Sequence, residues 1–253
     1  MYTPASSYIY SKEFLHYGSR SSAYAARRIT SSLARLLAVR SVLDVGCGLG
    51  AWLRAWAENG VNDYYGVDGD YVERSILEIP SDHFTAVDLN NNFDLCRQFD
   101  LVQSLEVAEH LQPASSTVFV DALCRHAGRF ILFAAAPPGQ GGENHMNERP
   151  YEFWRACLAR HDFVTLDAVR PMIINDQKIS FWYRYNIFLY VHRKALESLA
   201  PEMHKFIVTA ATPLPDLSPP SFRIRKAIVR RLPSTLQDRL ARFKSRFIPT
   251  GRF

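Results

Sequence analysis

The residues best able to do chemistry fall in a few short stretches. The first is Val42-Leu43-Asp44-Val45-Gly46-Cys47-Gly48-Leu49-Gly50, an apolar run that enters three glycines and leaves into a helical pattern. Glycine lets the backbone turn sharply and approach a bound molecule without a Cβ clash. The helix N-terminus beyond it offers unpaired N–H groups and partial positive charge. Gly46-x-Gly48-x-x-Ala51 also satisfies the loose pattern of a pyrophosphate cradle. Asp44 helps to separate the two readings, because an acid two residues before the first glycine repels a pyrophosphate and suits a ligand group with positive charge. Further acids end later apolar runs: Asp68 after Tyr65-Gly66-Val67, with Asp70 as a neighbouring competitor, and Asp88 before Leu89. A carboxylate can accept both hydroxyls of a diol. Two more acids and a histidine lie in Leu105-Glu106-Val107-Ala108-Glu109-His110-Leu111. The loop Pro137–Pro150 is glycine-rich and then abruptly polar, with His145, Asn147 and Glu148. Histidine is the usual general base near neutral pH. Trp182 and Tyr183 offer rings that stack on a sugar or pack in a core.

The elements that must position these residues alternate. Arg20–Val39 reads as a helix, followed by a strand over Ser41–Val45 and a helix over Ala51–Glu58 that Asn59-Gly60 stops. Strands follow over Tyr64–Val67, Phe84–Val87 and Phe99–Leu105. Ser115–His126 is a helix, Arg129–Ala136 a fifth strand, Tyr151–Arg160 a helix, and Phe163–Val169 and Tyr185–His192 the last two strands. Alternating strands and helices predict an α/β fold with a doubly wound seven-stranded sheet. Residues 170–184 are too few for a parallel crossover helix with its turns, so one late strand is expected to run antiparallel.

The first stretch resembles the opening motif of the class I S-adenosylmethionine (SAM)-dependent methyltransferases, which reads much like V-L-D-V-G-C-G-x-G. The resemblance implies a Rossmann-like domain and SAM as cofactor. It implies that Asp44, Gly46, Cys47, Gly48 and Gly50 border the methionine portion, that Asp68 holds the ribose hydroxyls, and that Asp88 and Leu89 meet the adenine. The stretch from Leu105 resembles the "LEVxEH" segment of this superfamily, which places Glu106 by the cofactor and Glu109 and His110 beside the transferable methyl. Gly141-Gly142-Glu143-Asn144-His145-Met146-Asn147-Glu148 and Trp182-Tyr183-Arg184-Tyr185-Asn186 resemble a "GGxxHxNE" loop and a "WYRxN" segment. Both recur in a bacterial branch associated with glycan or surface-polymer biosynthesis. That likeness implies a small-molecule or glycan substrate, with His145, Glu109 and His110 in catalysis and Asn147, Glu148, Trp182 and Tyr183 binding the acceptor.

Composition bounds the alternatives. The 253 residues are 47% hydrophobic and 22% charged, an ordinary globular balance. No apolar run approaches the 18 or so residues of a membrane span, and no signal-peptide layout opens the chain, so a cytoplasmic protein is expected. The four cysteines and eight histidines lack metal-ligand spacing, and no metal is expected. Charge divides the chain. Residues 1–40 carry six Lys/Arg and one acid, 41–222 carry 14 basic and 23 acidic residues, and 223–253 carry ten Lys/Arg and one acid. The reading is an N-terminal helical segment (1–40), a SAM-binding domain (41–212), a Pro-rich linker (213–222) and a basic amphipathic tail (223–253). Leu236, Leu240, Phe243 and Phe247 share one helical face of that tail. A basic helix with an apolar stripe suits an anionic membrane at its cytoplasmic face. RNA is the lesser alternative, because the core is acidic and no RNA-binding module is visible. The function alternatives are an RNA methyltransferase, a non-catalytic SAM-binding domain and an NAD-dependent oxidoreductase, which Asp44 disfavours.

Overall fold

The computed structural model describes residue 8 and residues 10–233. The strands are β1 (Ser41–Val45), β2 (Asp63–Asp68), β3 (Phe84–Ala86), β4 (Phe99–Leu105), β5 (Ala127–Ala134), β6 (Phe163–Leu166) and β7 (Phe188–His192). They form one sheet in the order β3-β2-β1-β4-β5-β7-β6, in which β7 runs antiparallel to both β5 and β6. The other neighbours are parallel. The fold is therefore the Rossmann-like doubly wound α/β sheet with one antiparallel late strand.

Alternation along the strands supplies apolar groups to both faces. Val42, Leu101, Phe130 and Leu132 face α1 (Lys12–Leu36) and α2 (Ala51–Glu58). Leu43, Val102, Ile131 and Phe133 face α3 (Ser116–His126) and α4 (Tyr151–Ala159). Each fully buried large side chain contributes about 1.5–3 kcal/mol. Helix α1 begins eight residues before the expected Arg20. Ser11 caps it by accepting a hydrogen bond from the Phe14 amide at 3.2 Å, and Leu15 is already buried.

The expected late strands are shorter than their apolar runs. β6 stops at Leu166, and 170–184 holds two short helices, α5 (Arg170–Ile173) and part of α6 (Phe181–Asn186). Tyr185 and Asn186 thus lie on α6 and not on the expected strand. The fully buried Arg170 sits at this change: it pairs with Asp167 (Nε–Oδ1 2.8 Å, Nη2–Oδ2 2.6 Å) and donates to the carbonyl oxygen of Tyr185 at 3.1 Å, a bond that Tyr185 O makes outside any strand ladder.

The expected linker is also different. Arg170 donates to Pro215 O at 2.8 Å, the Leu214 amide donates to Glu152 at 2.7 Å, and Ser218 is buried. Residues 213–219 are packed on the domain, and α7 (Pro220–Val229) starts where the linker was expected to continue. Lys226 of α7 is buried and pairs with Asp216. The apolar stripe at Leu236, Leu240, Phe243 and Phe247 lies outside the described residues.

Candidate active site

Strands β1, β2, β4 and β5 end along one edge of the sheet, where open α/β folds bind ligands. A cavity of about 1050 Å³ opens there. Its donor side is the glycine loop. Gly46, Gly48 and Gly50 have φ of 86°, 53° and 91°. At Gly46 a Cβ would lie 2.3 Å from Val107 Cγ2, so the loop touches the β4 exit only because no side chain is there. Cys47 and Gly48 line the cavity, whereas Gly50 caps α2 and faces Ile79.

Asp68 closes β2 and is buried at the loop. Its Oδ2 accepts from the Gly48 amide at 2.6 Å, and its Oδ1 accepts from the Gly69 amide at 2.7 Å and from the Tyr71 hydroxyl. Burial pushes its pKa up, and the Tyr71, Gly48 and Gly69 hydrogen bonds oppose that push. A carboxylate has about four lone-pair sites, so these three donors leave room for a ribose hydroxyl. Asp88 is exposed at the cavity wall in a turn, accepting from Asn90 N at 3.0 Å and Asn91 Nδ2 at 2.7 Å; Leu89 beside it is buried and lines the wall.

Asp44 does not line the cavity. It is 3% exposed behind the loop, and its Oδ2 has no hydrogen-bond partner among the described residues. Burial raises its pKa to about 7, the Asp68 charge adds to this, and the neighbouring Gln103 side chain opposes it. An orphaned acid oxygen behind a glycine loop fits the cationic end of SAM, reached through water or a small loop movement.

The acceptor side is built from distant segments. Glu106 leaves β4 with φ of 60°, a strained value for a residue with a Cβ. Its Oε2 accepts from Gln140 Nε2 at 3.0 Å and its Oε1 from Asn186 Nδ2 at 3.3 Å. Asn186 is itself aimed by the Tyr151 hydroxyl, which donates to its Oδ1 at 2.9 Å. Glu109 and His110 occupy a single turn, Ala108–His110, at the cavity wall. Glu109 is 0% exposed, and neither carboxylate oxygen has a partner in hydrogen-bond geometry among the described residues. Burial holds its pKa well above the usual carboxylate range, and the charge of Glu106 adds to that. Burial lowers the His110 pKa to about 3, helped by His145, while hydrogen bonding at the Asn144 and Glu143 backbone opposes it.

His145 stands across from His110, the rings edge to face with centroids 4.8 Å apart. Its Nδ1 pairs with Glu148 Oε1 at 2.9 Å, and its Nε2 lies close against Gly142 in the cavity lining. Glu148 is the hub of the loop: its oxygens also accept from the Gly139 and Gly141 amides, each at 2.7 Å. The fold holds the loop against the β4 exit through the Glu109 carbonyl, which accepts from the Met146 and Asn147 amides at 2.9 Å each.

These positions change two of the expected substrate contacts. Asn147 is 2% exposed and donates to Ala108 O at 3.1 Å and Ser116 Oγ at 2.9 Å, so it locks the loop and does not face an acceptor. Glu148 likewise braces the loop behind the cavity wall. Trp182 and Tyr183 do line the cavity, but Tyr183 is buried edge-on against Trp52 at 5.2 Å and serves as wall packing.

The profile of a family described as "Methyltransferase domain" matches residues 17–166, more than half of the chain. The chain belongs to this family. The dinucleotide oxidoreductase alternative is thereby set aside. No curated protein matches the chain by sequence. Among solved structures, the sugar N-methyltransferase KedS8 from Streptoalloteichus sp. ATCC 53650 is similar with 19% identity and a TM-score of 0.53, over 76% of this chain and 97% of that one. CalS10 from Micromonospora echinaspora, an amino pentose methyltransferase involved in calicheamicin biosynthesis and solved with SAM bound, is 16% identical with a TM-score of 0.51, over 73% and 98%. The magnesium protoporphyrin IX methyltransferase ChlM from Synechocystis PCC 6803, also with bound SAM, is 18% identical with a TM-score of 0.50, over 70% and 81%. At these identities the likeness is one of fold.

Several cavity residues of the methyltransferase escape a reading of its sequence. Tyr10 and Phe14 close the cavity from before and within α1, and Tyr10 accepts from Asn144 Nδ2 at 3.3 Å. Nothing in the chain signals a contact between positions 134 residues apart. Tyr71 follows Asp68 by three residues and carries no motif. Gln140 immediately precedes the first quoted segment and Asn186 ends the second, and their pairing with Glu106 is the one signal that a search for partners of a buried acid would have used. Arg225 and Val229 of α7 also reach the wall, and Arg225 donates to Gln140 O at 2.9 Å.

Proposed function

We propose that this methyltransferase transfers the methyl group of SAM to a sugar hydroxyl of a glycan or a related small molecule. The carrying observation is that one cavity joins the glycine loop and Asp68 to Glu109, His110 and His145. SAM supplies an electrophilic methyl on a sulfonium. Gly46, Cys47, Gly48, Asp68, Asp88 and Leu89 would hold it, with Asp44 behind the loop and Glu106 at the β4 exit. The rest of the task is positioning and proton handling. An alcohol must lose its proton as its oxygen bonds to the methyl carbon and the sulfur leaves. His145, fixed by Glu148 through Nδ1 and lining the cavity, assists that loss, with Glu109 and His110 beside it. The solved sugar N-methyltransferase and amino pentose methyltransferase of the same fold are in keeping with a sugar-sized acceptor.

The test is transfer of radiolabelled methyl from SAM into a bacterial glycan and sugar extract, with total RNA in parallel. A labelled glycan or sugar ether is expected. Label in RNA alone would move the assignment to RNA methylation, and SAM binding without transfer to either would make the chain a non-catalytic SAM-binding domain.

The same proposal places the protein in the cytoplasm, touching an anionic membrane through its basic tail. No helix among the described residues is long and apolar enough to cross a membrane. What supports peripheral contact is Ile224 (63% exposed) and Ile228 (55% exposed), one turn apart on α7 beside Arg223 and Arg231. Each basic residue near an anionic surface contributes about 1 kcal/mol, enough in number for reversible attachment. Full-length chain should sediment with phosphatidylglycerol vesicles at low salt and be released at high salt. A chain that stays in the supernatant at low salt removes the membrane from the proposal.

A further inference from the structure

Glu109 poses a physical problem. Its carboxyl is fully buried, neither oxygen has a partner in good hydrogen-bond geometry among the described residues, and only the Glu109 and Ala136 backbone favours its charged form; buried carboxylates are normally paired or bound to metal. The charged groups acting on it are themselves carboxylates, Glu106 and Glu148. Its neighbours with free lone pairs are imidazoles. His110 Nδ1 is buried and unpartnered among the described residues. His145 has committed Nδ1 to Glu148, so Nε2 is its remaining donor atom. One ligand-capable atom from each of Glu109, His110 and His145 lies within 4.8 Å of the others.

We propose that Glu109, His110 and His145 form a binding site for one divalent first-row metal ion, with its open coordination positions facing the methyl-transfer cavity. The inference rests on the methyl-transfer reading above and gives the cluster its means of assisting deprotonation.

Three features support a metal over other occupants. Two imidazoles and one carboxylate make a mixed nitrogen and oxygen set, suited to Zn²⁺, Mn²⁺ or Fe²⁺. Second, the His145–Glu148 pair has the arrangement that orients metal-bound histidines: a carboxylate takes the far ring nitrogen and fixes the near one. Third, the loop makes room for that nitrogen. A Cβ on Gly142 would lie 2.1 Å from His145 Nε2, so only glycine there lets the ring reach the cluster. Neighbouring ligands on an ion with bonds of about 2.1 Å lie roughly 3.0–3.4 Å apart, so a pair at the 4.8 Å limit of the set must close by about 1.5 Å on binding. Three protein ligands leave positions for the acceptor, which favours a substrate presenting two adjacent oxygens, as a sugar diol does. Its O–H is acidified on the ion and releases its proton to water in the open cavity. The oxygen then bonds to the methyl carbon as the carbon–sulfur bond breaks.

The test uses the full chain, stripped with a chelator and kept with S-adenosylhomocysteine. Mn²⁺ binding is read by electron paramagnetic resonance and Zn²⁺ binding by calorimetry and elemental analysis. One saturable site per chain is expected. Glu109→Gln, His110→Ala and His145→Ala should each weaken it at least about 100-fold, and Glu148→Gln roughly 10- to 100-fold. Glu109→Gln keeps the side-chain volume, and S-adenosylhomocysteine binding certifies that each variant is folded. No saturable binding of either ion, or binding that all four substitutions leave unchanged, overturns the metal site. Because S-adenosylhomocysteine is titrated separately, a protein that binds it and no metal refutes this inference alone, whereas one that binds neither refutes the methyl-transfer reading as well.

Discussion

The two halves of the cavity treat their buried acids in opposite ways. On the donor half, Asp68 is saturated: two backbone amides and one hydroxyl hold it, and all three come from within about twenty residues of it. On the acceptor half, the Glu109 carboxylate oxygens have no partner in good hydrogen-bond geometry among the described residues, and the groups around the residue come from the β4 exit, the loop after β5, the N-terminal segment and α6. A saturated acid presents a fixed surface to a ligand of constant shape. An unsatisfied one stores unspent electrostatic free energy that a bound group can release. The difference teaches that Asp68 is held in place by its own loop, while the Glu109 carboxyl keeps lone pairs that a bound group could use.

Substitutions can break or sharpen this contrast. The largest effect is expected at His145. His145→Ala should lower turnover roughly 10²–10⁴-fold and leave S-adenosylhomocysteine affinity nearly unchanged. Wild-type turnover in that variant, measured with the identified acceptor, would remove His145 from the chemistry. A large loss of cofactor affinity would show that the halves are coupled after all.

Asp68→Ala should act on the other half. Loss of charge-assisted hydrogen bonds to the ribose costs on the order of 2–3 kcal/mol, or about 30- to 150-fold in SAM affinity by calorimetry. Unchanged affinity in a folded protein would refute the ribose assignment.

The smallest effect is expected at Asp44, the donor-half acid whose Oδ2 has no partner among the described residues. Its carboxyl would release a proton near pH 3.8 when unfolded and near pH 7 when buried, so between those values the folded chain holds the extra proton. Its contribution to stability is therefore greatest below the unfolded pKa and declines as pH rises through about 7. Asp44→Asn should stabilise the ligand-free protein at pH 8 by on the order of 1–2 kcal/mol and change little at pH 4. Thermal unfolding at the two pH values measures this, and an equal effect at both would place the Asp44 proton elsewhere.

The donor half was legible in the sequence because its parts are local. A strand end, three glycines and a helix start encode the loop, and Asp68 and Asp88 each follow their own apolar run. Helix α2 has the expected bounds, Ala51–Glu58. The acceptor half was only partly legible. His145 and Glu109 stand out by type, but histidine spacing along the chain shows no metal-ligand pattern. The fold brings His145 to the 109–110 turn through backbone hydrogen bonds from Met146 and Asn147 that no periodicity encodes. The polar run Asn147-Glu148 looked like acceptor contacts because exposed and load-carrying polar residues read alike until their partners are known. Tyr185 and Asn186 looked like strand because aromatic and apolar residues continue into β7. Tyr185 O instead accepts from Arg170, fifteen residues away.

Helix α7 lies close against the glycine loop after β5. A Cβ on Gly139 would sit 2.1 Å from the Lys226 carbonyl oxygen, and Arg225 holds the carbonyl of Gln140, whose side chain in turn holds Glu106. The methyltransferase match ends at residue 166, well before this helix. Part of the cavity wall thus comes from chain beyond the matched domain. Through Arg225 and Gln140, a change in α7 reaches the acid at the β4 exit, so a helix far along the sequence can alter the space beside the reacting groups.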